Sequence, residues 1–242
     1  MVIANNVMAH VPDLNDFVAG LARLVYDHGI VQIENPGVGY LLGHNEFDTI
    51  YHEHFCYFST IAVDRLFRRH GLVVTEVDVF PSLHGGTLRW TAATHSPVSS
   101  TVRRQLEEER ALGLDGLAAF REFGDRVGTV QSELRELLLR LRAGGARIAA
   151  YGAAAKGATL LNSCGVGREL VDFVVDRNPH KQGKAMPGAR LPILDPAELL
   201  ERRPDYVLLL AWNVKDEVMR QQEAYRRQVG RFIVPIPTPA IV

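Results

Sequence analysis

Cysteine is scarce in this chain: two in 242 residues, Cys56 and Cys164. Far apart and in unrelated contexts, they do not resemble a disulfide framework, and alone they cannot build a structural zinc site, so zinc is not expected here. Charge of one sign is lacking too, with 27 Lys+Arg against 28 Asp+Glu and a formal net charge of −1. Such a balance gives no long-range field to steer a nucleic acid or an anionic membrane, and neither is expected as a partner. No run approaches the roughly 18 consecutive apolar residues of a membrane span. The start, MVIANNVMAH, carries no basic stretch of the kind that opens a signal peptide. A reducing cytoplasm is the expected compartment. Solenoid repeats and low-complexity tracts are also missing.

What is present is ordinary for a globular protein: 47% hydrophobic and 23% charged residues. The length suffices for one large domain or two small ones, each with its own core. Val2-Ile3-Ala4 reads as a short buried strand. Asp13 reads as an N-cap, and Leu14, Phe17, Val18, Leu21, Leu24 and Val25 follow at helical spacing. Ile30 to Glu34 is the next strand, broken at Asn35-Pro36-Gly37. Strand, helix and strand in this succession make a βαβ unit, so an α/β class with a parallel sheet is expected. Ile61 to Arg69 reads as a helix stopped at His70-Gly71. Leu72 to Phe80 and Thr87 to Thr94 read as strands joined through Pro81-Ser82-Leu83-His84-Gly85-Gly86, an antiparallel hairpin. Residues 99–143 read as long linking helices, with Leu117, Phe120, Val127, Val130, Leu134, Leu137 and Leu141 at roughly helical spacing.

A second α/β unit follows. Arg147 to Tyr151 is a strand, and Gly152-Ala153-Ala154-Ala155-Lys156-Gly157 is a tight turn into a helix reaching Cys164. Leu170 to Asp176 is a strand, Asp195 to Arg202 a helix, and Tyr206 to Ala211 a buried strand. One more helix runs through Arg227, and Phe232 to Val234 is the last strand.

The densest polar cluster is Tyr51-His52-Glu53-His54-Phe55. If the segment is helical, Tyr51 and His54 share a face, where a hydroxyl and an imidazole could move a proton and stabilise an oxyanion. His52 and His54 lack the spacing of a helical HExxH zinc site, although two histidines on a strand could chelate a metal. A polar loop that only satisfies backbone groups is the plainer alternative. Asn5, Asn6 and His10 follow the first strand, at the carboxyl end where open α/β sheets bind ligands. The small residues of Gly152–Gly157 would let backbone amides approach a phosphate at a helix N-terminus. Asp176, ending the next strand, stands near the place of a ribose-binding acid in a dinucleotide site. The turn is neither G-x-G-x-x-G nor a P-loop, and small residues there also serve packing alone.

Four segments carry a family resemblance: Asn5 to Asp13, Glu46 to Phe55, His84 to Arg89, and Tyr151 to Asn162. Together they resemble the sugar C-methyltransferases, enzymes dependent on S-adenosylmethionine that methylate C3 of nucleotide-linked 4-keto deoxysugars. The likeness spans essentially the whole chain. It implies the C-terminal half of a class I methyltransferase (Rossmann-like) sheet, followed by a second Rossmann-like α/β domain. In that frame residues 1–95 are the partial methyltransferase domain, 96–145 the linking helices and 146–242 the C-terminal domain. Val2–Ala4 would be the fourth strand of the methyltransferase sheet, Val31–Glu34 the fifth, and the hairpin the sixth and seventh.

By the same resemblance His54 is the general base at C3, His10 and Tyr51 stabilise the enolate oxygen, and Glu53 positions sugar or imidazole. Asn5 and Asn6 would face the cofactor, and Gly152, Lys156, Gly157 and Asp176 the nucleotide diphosphate sugar. The family's glycine-rich S-adenosylmethionine loop, ribose-binding acid and cysteine-rich zinc module have no counterpart here. The cofactor site is therefore expected to be incomplete, with a partner chain as one possible source of the rest. Two alternatives stay open: an inactive nucleotide-sugar-binding remnant, and an NAD-dependent oxidoreductase built on Gly152–Gly157 and Asp176.

Overall fold

The computed structural model of the chain describes every residue except Asp27, Ser82, His84 and Val229. Internal packing groups the described residues into two compact units. Met1–Glu46 with His52–Gly124 form the first, and Phe47–Tyr51 with Asp125–Val242 the second.

In the first unit β1 (Val2–Asn5) leads through a 3-10 turn at Met8–His10 into α1 (Leu14–Leu24) and β2 (Val31–Pro36). β1 and β2 are parallel, Val2 opposite Val31, as the βαβ reading requires. Asp13 caps α1 by accepting the Asp16 N–H at 3.0 Å. There follow α2 (Val38–Gly43), α3 (Thr60–Arg69), β3 (Val73–Phe80), β4 (Thr87–Ala93) and α4 (Ser100–Ala111). The sheet order is β1-β2-β4-β3, with β4 antiparallel to both neighbours, so the expected hairpin is there. One sheet face presents Val31, Ile33, Trp90, Ala92, Val74 and Val77 to Val18 and Leu21 of α1 and to Val63 and Phe67 of α3. Near-complete burial of these side chains drives the unit together at about 25 cal/mol per Å² of apolar surface.

Three expectations are corrected here, and one condition set on Tyr51–Phe55 is not met. β1 is not a buried strand: it lies at the sheet edge, its side chains alternate faces, and Ile3 is 53% exposed. Leu24 is 73% exposed, because it is turned about 100° from Val25, which faces the core. β2 does not break at Asn35 but runs to Pro36 opposite Thr87, a strand end where a missing N–H is tolerated. Residues 51–57 are not helical but a short turn running into extended chain, so Tyr51 and His54 share no helix face. The turn joining β3 to β4 includes Ser82 and His84, which lie outside the described residues. Its Gly86 has φ +126°, and a Cβ there would fall 2.1 Å from the Tyr40 ring.

In the second unit α5 (Ala118–Ala143), inside which the division between the units falls, buries Val130, Leu134 and Leu138. Its seam runs through Leu138 and not Leu137, while Leu117 is 69% exposed. After it come β5 (Ile148–Tyr151), α6 (Ala155–Ser163), β6 (Val174–Val175), β7 (Ile193–Leu194), α7 (Glu198–Arg202) and β8 (Tyr206–Leu209). The chain ends with α8 (Lys215–Gln221), α9 (Glu223–Arg227), β9 (Arg231–Val234) and β10 (Ala240–Ile241). The order is β10-β9-β8-β5-β6-β7, all parallel except β10. From β5 the chain builds outward through β6 and β7, then returns to the other side of β5 for β8 and β9. The strand order therefore reverses between β5 and β8.

The sequence reading differs here in length and number. The expected strand from Leu170 contracts to β6, because Leu170 and Val171 turn back to the Gly167 carbonyl at 3.1 and 3.0 Å. The single helix through Arg227 is two, separated at Gln222, whose ψ of +28° is not helical. β9 is not the last strand: β10 pairs with it, and Val242 and Phe232 exchange both backbone bonds at 3.0 and 2.8 Å. Two-residue strands such as β7 and β10 are too short for any hydrophobic period to mark them.

Candidate functional site

The carboxyl ends of β1 and β2 gather the first group of polar residues. Asn5 is exposed and in register with Glu34. Asn6 turns the chain with φ +54° and donates its backbone N–H to the Glu34 carbonyl at 2.7 Å. Asparagine tolerates this left-handed conformation better than most residues. Met8 and Ala9 are buried in the core and fix the 3-10 turn, which leaves His10 on the surface. The extended segment after Glu53 lies against that turn, with the Phe55 N–H donating to the Ala9 carbonyl at 2.8 Å.

This pairing brings two histidines together. The His10 and His54 rings lie 5.0 Å apart, tilted by 53°. His10 Nδ1 lies 2.7 Å from the Glu53 carbonyl oxygen. Since a carbonyl only accepts, Nδ1 carries the proton, and Nε2 is left to act outward. Tyr57 meets the His54 ring edge-on at 5.9 Å. The sequence reading gave Tyr57 no part in the cluster. Glu53 contributes its carbonyl to the cluster, and its side chain is exposed.

Two polar residues of β2 were missed. Glu34, 6% exposed, receives Arg89 Nε and Nη2 at 2.9 and 2.7 Å on one oxygen. Asn35 is 1% exposed, and both polar atoms of its side chain are buried without a partner. A buried amide of this kind is rare enough to mark the strand end as unusual. The signal in the sequence was an asparagine interrupting an apolar alternation.

The remaining expected residues belong to the second unit. Gly152 ends β5 with φ +101°, and a Cβ on it would meet the Ala211 Cβ at 3.0 Å. A Cβ on Gly157 would fall 2.9 Å from Leu210 Cβ and 3.0 Å from the Gly152 carbonyl. Both glycines thus let the start of α6 lie close against Leu210 and Ala211, which follow β8. Asp176, at the end of β6, is spent within this turn: its Oδ2 accepts the Ala153 N–H at 2.7 Å and Lys181 Nζ at 3.1 Å. Its Oδ1 accepts the Asn178 N–H at 2.8 Å.

Lys156, in the first turn of α6, points to a group that sequence reasoning missed altogether. Its Nζ lies 3.6 Å from Asp48 Oδ2, donates to Asn213 Oδ1 at 3.1 Å, and sits 4.1 Å from the Trp212 ring centre. Asp48 is 0% exposed and also accepts the Trp212 indole N–H at 2.7 Å, while its Oδ1 is buried without a partner. Burial raises the Asp48 carboxyl above its ordinary range, opposed by the Lys156 charge and the bonds from Trp212 and Lys156. Tyr51, half-buried, belongs with this second unit, whereas His10, Glu53 and His54 belong with the first.

Among the described residues no group of three or more His, Cys, Asp and Glu is placed to hold a metal ion. None of their helices is long and apolar enough to cross a membrane.

An α/β chain with polar residues at the carboxyl ends of its parallel strands fits a class of small-molecule enzymes, and comparison with known proteins narrows that class. The model of the C-methyltransferase C-terminal domain matches residues 82–237. The chain is 39% identical over 245 aligned positions to the C-methyltransferase NovU of Streptomyces niveus, an alignment covering 100% of this chain and 58% of that protein. The chain belongs to the sugar C-methyltransferase family.

Proposed function

We propose that the chain carries the deprotonation half of a C-methyltransferase site, acting at C3 of a nucleotide-linked 4-keto deoxysugar. The observation that supports this most is the His10–His54 pair at the carboxyl ends of β1 and β2. A proton beside a ketone is removed readily only if the enolate is stabilised as it forms, so base and oxyanion donors must act together. His54 is the base at C3. His10, its Nδ1–H held by the Glu53 carbonyl, in its charged form directs Nε2–H at the enolate oxygen. Tyr51 supplies the second donor, and the Glu53 carbonyl is the orienting group for His10.

S-adenosylmethionine, when bound, supplies the methyl group. The residues of this chain fit only part of such a group: Asn5 and Asn6 offer polar atoms at the end of β1. The positive-φ glycines of the first unit are Gly71, Gly85, Gly86 and Gly113. Gly86 lies beside the end of β2, its carbonyl accepting the Gly37 N–H at 3.0 Å, but the side chains of Tyr40 and Glu46 fill the space against Gly86 and Gly85. None of them forms a cradle there for the amino-acid or ribose end, so no step is derived through the cofactor. The missing contacts would come from sequence beyond these 242 residues or from a partner chain.

The second sheet is, on this reading, a Rossmann-like domain, and the amides around Gly152, Lys156 and Gly157 face the diphosphate of the sugar nucleotide. Asp176 supports that turn from below. Because its oxygens already serve Ala153, Asn178 and Lys181, the reading as a nicotinamide oxidoreductase has less support.

The test is deuterium exchange at the sugar C3 in D2O, with the nucleotide-linked 4-keto deoxysugar and S-adenosylmethionine present. His54→Ala should abolish exchange, and retained exchange removes His54 as the base. Calorimetry with S-adenosylmethionine separates an active chain from a binding remnant, since only the former takes up cofactor at micromolar concentration.

A further inference from the structure

We propose that Asp48 is a positioning residue that docks the Tyr51-bearing segment Phe47–Tyr51 into the crevice between β5 and β8 of the second unit, with Lys156 and Trp212 as its socket. The role given to Tyr51 rests on the reading above; the docking does not.

The place of the socket is set by topology. In open α/β sheets the crevice at the carboxyl ends of the strands, where strand order reverses, is the favoured ligand site. Here that reversal lies between β5 and β8. Lys156 follows β5 on the first turn of α6, and Trp212 and Asn213 follow β8 directly. A cation, an indole N–H and an amide thus converge on a crevice that would suit an anion. The anion already there is the chain's own: the Asp48 carboxylate, bonded to Trp212 at 2.7 Å and paired with Lys156 at 3.6 Å.

Burial makes the contact selective. A carboxylate removed from water is tolerated only where charge and hydrogen bonds replace its hydration, and removing one partner leaves an uncompensated charge. Phe47 beside it is 5% exposed. An apolar side chain at position 48 could fill the space, but it would lack the directional bonds that fix how the segment is rotated. Tyr51 lies three residues further on, within one turn of chain. The Lys156 ammonium is therefore the counter-ion of Asp48, and the α6 amides are what remains for a phosphate.

The experiment uses the whole 242-residue chain and follows backbone amide hydrogen exchange. In Asp48→Asn the amides of Phe47–Tyr51 should exchange at least about tenfold faster while those of β5 and β8 keep their rates. The Trp212 indole N–H resonance should shift, with Trp90 as the internal reference. Unchanged exchange in Phe47–Tyr51 overturns the proposal. If Asp48→Asn does not fold, Lys156→Met and Trp212→Phe each remove one partner from the same carboxylate, and each should loosen the same five residues selectively. Loosening spread evenly over the sheet overturns the proposal. In C3 exchange with the nucleotide-linked 4-keto deoxysugar, Asp48→Asn should lower kcat about tenfold with KM within about twofold. A raised KM at unchanged kcat in Lys156→Met would assign that ammonium to the diphosphate and overturn the socket. If the unaltered chain supplied with S-adenosylmethionine exchanges no deuterium, the proposed function fails, and amide exchange still decides the docking.

Discussion

Glu109 is remote in sequence from every residue given a chemical role, and its removal should nevertheless unsettle the segment carrying His54. Its side chain reaches from α4 to the start of α3 and is 2% exposed. Oε1 accepts the Thr60 N–H at 2.7 Å, and Oε2 accepts the Ile61 N–H at 2.9 Å. Ser59 Oγ takes the Ala62 N–H at 3.1 Å, so the first three amides of α3 are all met by side chains. α3 begins directly after Phe55–Phe58, the stretch continuous with His54.

Each hydrogen bond to a charged group contributes about 1.5–3 kcal/mol, and a carboxylate at a helix N-terminus gains up to about 1–2 kcal/mol from the dipole. Glu109→Gln keeps the shape, loses the charge and turns an NH2 towards an N–H donor. The expected loss is about 2–3 kcal/mol. Glu109→Ala leaves two buried donors without partners and should cost about 3–4 kcal/mol. The assay is urea unfolding followed by Trp90 fluorescence in a Trp212→Phe background, because Trp90 is fully buried in the same unit and donates to Thr60 Oγ1 at 3.0 Å. Ser59→Ala, about 1 kcal/mol by itself, should couple to Glu109→Gln, since both residues cap one helix. A loss below about 0.5 kcal/mol in Glu109→Gln would refute the argument, because it would mean these amides find water as readily as the carboxylate.

Gly157→Ala should destabilise by about 1–3 kcal/mol, read by urea unfolding on Trp212, because the new Cβ meets backbone oxygen as well as Leu210. Gly20→Ala, exposed on α1 with no atom within 4 Å of its Cβ, should instead stabilise by about 0.5–1 kcal/mol, so equal effects would sink the packing argument. Burial pushes the Cys164 thiol up to about 11, so the fold prefers the neutral form. The unfolded thiol ionises first as pH rises, so this contribution is intact below about pH 9 and is lost as pH climbs towards 11, at about 1.4 kcal/mol per pH unit. Stability of Cys164→Ala should fall less steeply across that window, and native Cys164 should resist a thiol reagent at pH 8 until denaturant is added.

Much of the first unit was legible because its signals are local. Asp13 before a 3.6-residue apolar stripe gave α1, and the apolar alternation around the Gly85-Gly86 turn gave the hairpin. The histidine pair was legible in part. The sequence marks His54 and His10 as candidates, but only the backbone bond from Phe55 to Ala9 reveals that they meet. Errors fell where tertiary contacts decide. β6 shrinks because turn bonds to Gly167 compete with the ladder, and Leu137 yields the seam to Leu138 through the angular phase of a long helix. Asp176 had the right address for a ribose and a different occupation, since an acid at a strand end can as well tie down the turn beside it.

Asp48 shows why the residual matters for function. In the one-dimensional text, Glu46 to Phe55 is a single dense run of polar and aromatic residues, and every member competes for a chemical role. Burial splits the run into residues with different tasks. Phe47 and Asp48 are inside, at 5% and 0% exposure, while His52 and Glu53 are exposed. A side chain with no access to solvent and a lysine and an indole already bonded to it is poorly placed to exchange protons with a substrate, whatever its type. Half-buried side chains such as Tyr51 and His54 keep an open side and can do so. The same reasoning moves Lys156 from cation for a phosphate to counter-ion for a carboxylate, so that the phosphate contact proposed above falls to backbone amides, which no side-chain motif records. A motif rich in reactive residue types thus contains its own fastening, and the burial pattern separates the fastener from the reagents.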